Sequence, residues 1–135
     1  MKAALLSLVG VVFSGAATAL EPLSPDAFLD FATGKLLTFH IYPQGYFVGH
    51  EEYINRSLSV WRDASNECVY GRITVDEGKL CFLYDHDLDG LPICWWPFIE
   101  GDRIFVRVAT LGSGEIQEVV NVSEQTLSCP SVPST

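Results

Sequence analysis

Residues 85–90, Asp85-His86-Asp87-Leu88-Asp89-Gly90, place three carboxylates at alternate positions and end on a glycine. That order fits the opening half of a calcium-binding loop. Asp85, Asp87 and Asp89 match its first, third and fifth positions, Gly90 the sixth, and the Leu91 carbonyl the seventh. The match then stops. The twelfth position, where a bidentate Glu belongs, is Trp96, and Pro92-Ile93-Cys94 reads as a strand instead of an entering helix. A complete EF-hand is therefore excluded. Three crowded carboxylates still repel one another, and a weakly held calcium ion would relieve that repulsion. The simpler reading is a solvated hairpin loop in which Gly90 supplies a left-handed turn.

Other chemistry finds less support. There is no Gly-x-Ser-x-Gly nucleophile turn and no glycine-rich phosphate loop; Gly112-Ser113-Gly114 lies between two strand-like runs and reads as a hairpin turn. His40, His50 and His86 show no helical ligand spacing. His50-Glu51-Glu52 could hold a metal or act as a base, but isolated imidazoles and carboxylates are common at turns, and it reads as a solvated strand end. Cys68, Cys81, Cys94 and Cys129 contain no Cys-x-x-Cys pair, which argues against zinc. On these grounds no catalytic residue is expected.

The aromatic residues form the second candidate set. Trp61, Tyr84, Trp95 and Trp96 all fall on strand-like runs. Neighbours on a strand point to opposite faces, so of Trp95 and Trp96 one should line the core and the other should lie outside. Such residues pack a core, line an apolar ligand cavity, or form an exposed patch for a partner.

These residues need a frame, and the ends of the chain suggest where it lies. Residues 1–19 carry Lys2, an apolar run over 3–13 and the small residues Ala17-Thr18-Ala19, the pattern of a secretory signal peptide cleaved near Ala19. One β domain is expected over 20–129 and a flexible Pro- and Ser-rich tail over 130–135. No Cys follows the leader, so no lipid anchor is expected, and the destination is the periplasm or the exterior. The 135 residues carry a net charge of −9. Nucleic acid and anionic membrane are poor partners for such a chain, and a small ligand, a metal ion or a basic protein suits it better.

One helix is marked near residues 25–33. Ser24 can cap it, Pro25 suits its first turn, Phe28, Phe31 and Ala32 share a face, and Gly34 is a stop. From Lys35 onward, alternating runs rich in β-branched and aromatic residues are cut by turn residues. They predict an antiparallel meander, closed or partly closed as a small barrel that is lipocalin-like by analogy, with the helix over one end or edge. If residues 85–90 join two antiparallel strands, Cys81 faces Cys94, within disulfide range for a directly opposed pair. Cys68 and Cys129 then form the second bridge.

In order and type of residues, the segment from Pro22 to Cys129 resembles a family of small exported alphaproteobacterial proteins to which no activity is assigned. Leu23–Phe39 is similar to its opening helix and first strand, and Gly49-His50-Glu51-Glu52-Tyr53 to its Gly-x-Glu-x-Tyr segment. The strands from Cys68 and Leu80 resemble its Cys-x-x-Gly-x-Trp and Ile-Cys-Phe-x-Tyr patterns, with Ile73 in place of the Trp. Ile93–Phe98 is similar to its Cys-Trp-x-Phe strand, and Cys129-Pro130 to its closing pair. The resemblance implies export and a β fold and carries over no catalytic residue. The function expected is that of an exported, non-catalytic binding protein. Its alternatives are an acidic protein-interaction module, such as an inhibitor of a basic hydrolase, and a weak calcium module at 85–90.

Overall fold

A computed structural model describes residues 10–13, 15, 19–87 and 89–130. Most of the expected leader, Leu88 and residues 131–135 of the expected tail lie outside the described residues.

Among the described residues, nine strands and one helix follow in order: β1 (Glu21–Pro22), α1 (Pro25–Ala32), β2 (Leu36–Ile41), β3 (Phe47–Asn55), β4 (Leu58–Asp63), β5 (Cys68–Asp76), β6 (Lys79–Tyr84), β7 (Ile93–Glu100), β8 (Arg103–Val108) and β9 (Ile116–Ser123). Strands β2 to β9 each pair antiparallel with the next, and β9 returns to β2, so eight strands close a meander barrel without a free edge. The short β1 pairs with β7 through Glu21↔Ile99 and Pro22↔Phe98, beyond the stretch that β6 occupies. β3 is a single strand of nine residues that carries both Phe47 and Glu51.

The barrel has two unlike ends. At the closed end α1 enters, and the turns after β3, β5 and β7 are tight. The turn after β5 is Glu77-Gly78 with φ of 46° and 81°, the paired left-handed conformation of a two-residue hairpin. The other end, which we call the mouth, carries the longer loops after β2, β4, β6 and β8.

The helix forms as its capping residues imply. Ser24 Oγ accepts the Ala27 amide at 3.1 Å, and Gly34 turns out of the helix at φ 79°. Its buried face is Phe28, Leu29 and Ala32, with Phe31 half-buried. Leu29 thus takes the inner position expected of Phe31. The half-buried Phe31 ring packs at the edge of the core and lies under Lys35 Nζ, 4.8 Å away. Phe28 and Leu29 join Leu37, Phe39, Tyr53, Leu80 and Phe82 in one core. Outside, Arg56 of the β3–β4 turn bonds Asp26 and Asp30 of the helix, a solvated contact that adds little to stability.

Both disulfides form as the hairpin register implies. Cys81 and Cys94 are directly opposed on β6 and β7, with Cα atoms 4.0 Å apart. Cys68 bonds Cys129 across 61 residues of sequence. In the chain-entropy model the shorter loop contributes about 3 kcal/mol and the longer about 4 kcal/mol. Two such bridges belong to a chain that matures in an oxidising compartment. The second bridge brings the segment after β9 back along the outside of β3 and β4. There the Leu127 amide donates to Glu52 Oε2 and its carbonyl accepts from Arg62, both at 3.0 Å. Beyond the bridge, the Tyr70 hydroxyl donates to the Pro130 carbonyl. Among the described residues, no helix is long and apolar enough to cross a membrane.

Candidate functional site

Alternation along the strands decides what faces the barrel interior. On β3 the inward set is Gly49, Glu51 and Tyr53; opposite them on β4 stand Ser59 and Trp61. On β6 the inward set is Leu80, Phe82 and Tyr84, and on β7 Ile93 and Trp95. Together with Phe28 from the helix, Val106 and Gln117, these side chains leave a cavity of about 370 Å³ inside the barrel. Asp63, Ser65, Glu67 and His86 line it toward the mouth. The volume falls in the range of small-molecule sites, and the walls are mainly aromatic.

The aromatic walls are held by close packing. The Phe82 and Tyr84 rings stack with centroids 5.9 Å apart, and Tyr53 meets Phe28 edge-on at 5.7 Å. The Trp61 ring lies across Gly49, where an added Cβ would overlap it. Gly71 leaves similar room for the Tyr84 ring at 2.8 Å from an ideal Cβ. Both glycines therefore make space for rings that shape the chamber. Gly49→Ala should push Trp61 off its seat, cost about 1–3 kcal/mol, and shift tryptophan emission. Unchanged emission and melting temperature would show that the ring does not rest on that glycine.

Glu51 is the polar centre of this interior. It is 2% exposed and carries no ion pair. The Tyr84 hydroxyl donates to its Oε2 at 3.1 Å, while Oε1 has no hydrogen-bond partner. Ser59 Oγ stands near the carboxyl, outside hydrogen-bond geometry, and is itself unpartnered. Burial pushes the Glu51 carboxyl up to about 8, against the opposing pull of Ser59 and Tyr84. The group is therefore mostly protonated at neutral pH. Burial likewise raises the Tyr53 and Tyr84 hydroxyls well above the usual tyrosine range, with the Glu51 carboxylate adding to the effect. Asp63 at the mouth is held low by the Ser65 hydroxyl and amide.

The residues singled out from sequence fall into three places. Trp61, Tyr84 and Trp95 line the cavity. Trp96 points outward, 37% exposed, with Lys79 Nζ 5.3 Å from its ring. The β7 pair thus divides between inside and outside as strand geometry requires. Asp85, Asp87, Asp89 and Leu91 lie on the β6–β7 loop at the mouth. There Asp89 Oδ1 accepts the Leu91 amide at 3.1 Å, and Asp87 lies 3.8 Å from His86 Nε2. Among the described residues no three His, Cys, Asp or Glu side chains are grouped to hold a metal ion.

The segment His50-Glu51-Glu52 corrects the expectation of a solvated strand end. His50 and Glu52 do lie on the outer face, where His50 bonds Thr38 at 2.9 Å and burial lowers its pKa. Glu51 between them is inside. The strand period puts Gly49, Glu51 and Tyr53 on one face, and closure of the barrel turns that face inward.

No family model, no curated protein and no solved structure matches the chain.

Proposed function

We propose that this is an exported, non-catalytic binding protein that holds a small, largely apolar molecule inside its barrel. The cavity of about 370 Å³ around the buried Glu51 carries this reading. An engineered apolar cavity of about 150 Å³ accepts benzene, so by simple scaling this one has room for roughly fifteen non-hydrogen atoms. The aromatic walls supply contact area, and one unpartnered carboxyl oxygen supplies orientation. Binding is favoured over catalysis because the groups beside Glu51 are Tyr53, Tyr84 and Ser59, all neutral hydroxyls, so no charged acid–base partner adjoins it. The leader pattern of residues 1–19, the two disulfides and the resemblance to small exported proteins support a periplasmic or secreted location.

Three naphthyl compounds of matched size provide the test: 2-(1-naphthyl)ethanol, 2-(1-naphthyl)ethylamine and 1-naphthylacetate. The expected result is saturable one-to-one binding of at least one, read by tryptophan emission and calorimetry. For about 13 heavy atoms at roughly 0.4 kcal/mol each, the Kd is on the order of 0.1 mM. Val106→Phe, which fills the chamber, should weaken it at least tenfold. Absence of binding by all three compounds to folded protein would overturn the reading.

A further inference from the structure

We infer that the molecule this cavity takes is an amine on an aromatic or compact apolar body, bound as its cation against Glu51. This inference rests on the reading of the cavity as a ligand site.

Three observations converge on a cation. The first is the free oxygen. Tyr84 occupies Glu51 Oε2, and Oε1 is buried without a partner in a chamber that Glu51 itself lines. Once Glu51 is ionised, a ligand that brings a hydrogen-bond donor satisfies that oxygen. The second is the sign of the lining. Its carboxyl groups are Glu51, Asp63 and Glu67, and among the described residues no Lys or Arg lines it. A fatty acid or other anion would meet carboxyls alone, in a chain whose net charge is already −9. The third is the wall. Trp61, Tyr84 and Trp95 present aromatic rings to the cavity, and ring faces attract ammonium groups.

The protonation state makes this distinguishable from a neutral ligand. In the free protein Glu51 holds its proton at pH 7, about 90% of the time for a pKa of about 8. An ammonium group placed beside it favours the carboxylate, so Glu51 gives that proton to solvent as the amine binds. Amine affinity should therefore rise about fifty-fold from pH 6 to pH 8. A neutral ligand that accepts the Glu51 proton in a hydrogen bond would do the opposite and weaken as pH passes 8. The other titratable groups lining the cavity are Tyr53 and Tyr84, neutral throughout this range, and Asp63, Glu67 and His86 at the mouth. His86 also lines the mouth and shares the cavity with Glu51. Glu51→Gln retains His86 and so separates its share.

The same naphthyl set decides the matter by calorimetry. At pH 8 the amine should bind at least tenfold tighter than the alcohol, and the acetate weakest of the three. At pH 7, measurements in two buffers of different ionisation enthalpy should show about 0.9 proton released per amine bound. In Glu51→Gln the released proton should vanish, and the amine should bind no better than the alcohol. The inference is overturned if the alcohol equals the amine at pH 8, if wild-type protein releases no proton, or if amine affinity falls between pH 6 and 8. In each of those cases the cavity still binds a probe and the proposed function stands. If none of the three binds, that function and this inference fall together.

Discussion

Replacing Glu51 with glutamine should stabilise the protein at pH 8 by on the order of 4–5 kcal/mol and change it little at pH 4.5. The carboxyl titrates near 4.5 in the unfolded chain and at about 8 in the folded one. Between these values the folded protein holds a proton that the unfolded chain has released. The folded state therefore loses roughly 1.4 kcal/mol per pH unit as pH rises through that interval. The penalty is absent below 4.5 and complete above 8. Glutamine does not titrate, so its stability curve lacks this slope. Urea denaturation of both proteins at pH 5, 6.5 and 8 measures the difference, in which the contributions of His50 and other groups cancel. Parallel curves would mean that Glu51 is ionised and paired inside the barrel.

Phe28→Ala should cost about 3–5 kcal/mol, the range for a fully buried phenylalanine. Phe28 is 0% exposed and meets the Tyr53 ring edge-on at 5.7 Å. An eight-residue helix has little stability of its own in water, so docking of this face is what holds it. Phe28 also lines the cavity, and its loss extends the chamber toward the closed end. The measurement is a melting curve together with far-ultraviolet dichroism of the helix. An unchanged melting temperature would show that α1 is not part of the cooperative fold.

The helix is legible in the sequence because its ends are written locally: a Ser cap, a first-turn Pro and a Gly stop. Its buried face is less so. Phe28, Leu29, Phe31 and Ala32 are all apolar, and periodicity does not choose between Leu29 and Phe31 when both lie at the border of the stripe. The meander and the Cys81–Cys94 bridge are legible because hairpin loops fix which residues oppose each other. Glu51 is not, for a physical reason specific to β3. Gly49, Glu51 and Tyr53 occupy one face and His50, Glu52 and Ile54 the other, so each face mixes apolar with polar residues. Only closure of the barrel decides which face is inside. The aspartates of 85–90 are legible as a spacing alone. Their spacing matches a metal loop, but ligation requires side chains to converge, which spacing alone does not impose.

The segment after β9 has a practical consequence for how the protein is handled. Glu21 pairs near the closed end of β7, whereas Cys129 is bonded to Cys68 at the start of β5, beside the mouth. The described chain thus enters the barrel at one pole and leaves it at the other. A tether or fused partner at the amino side hangs from the sealed pole and leaves the entrance free. The same attachment after Pro130 stands next to the opening. It would slow exchange with bulk solution or compete for the rim, so surface-immobilised measurements of ligand uptake belong on the amino side.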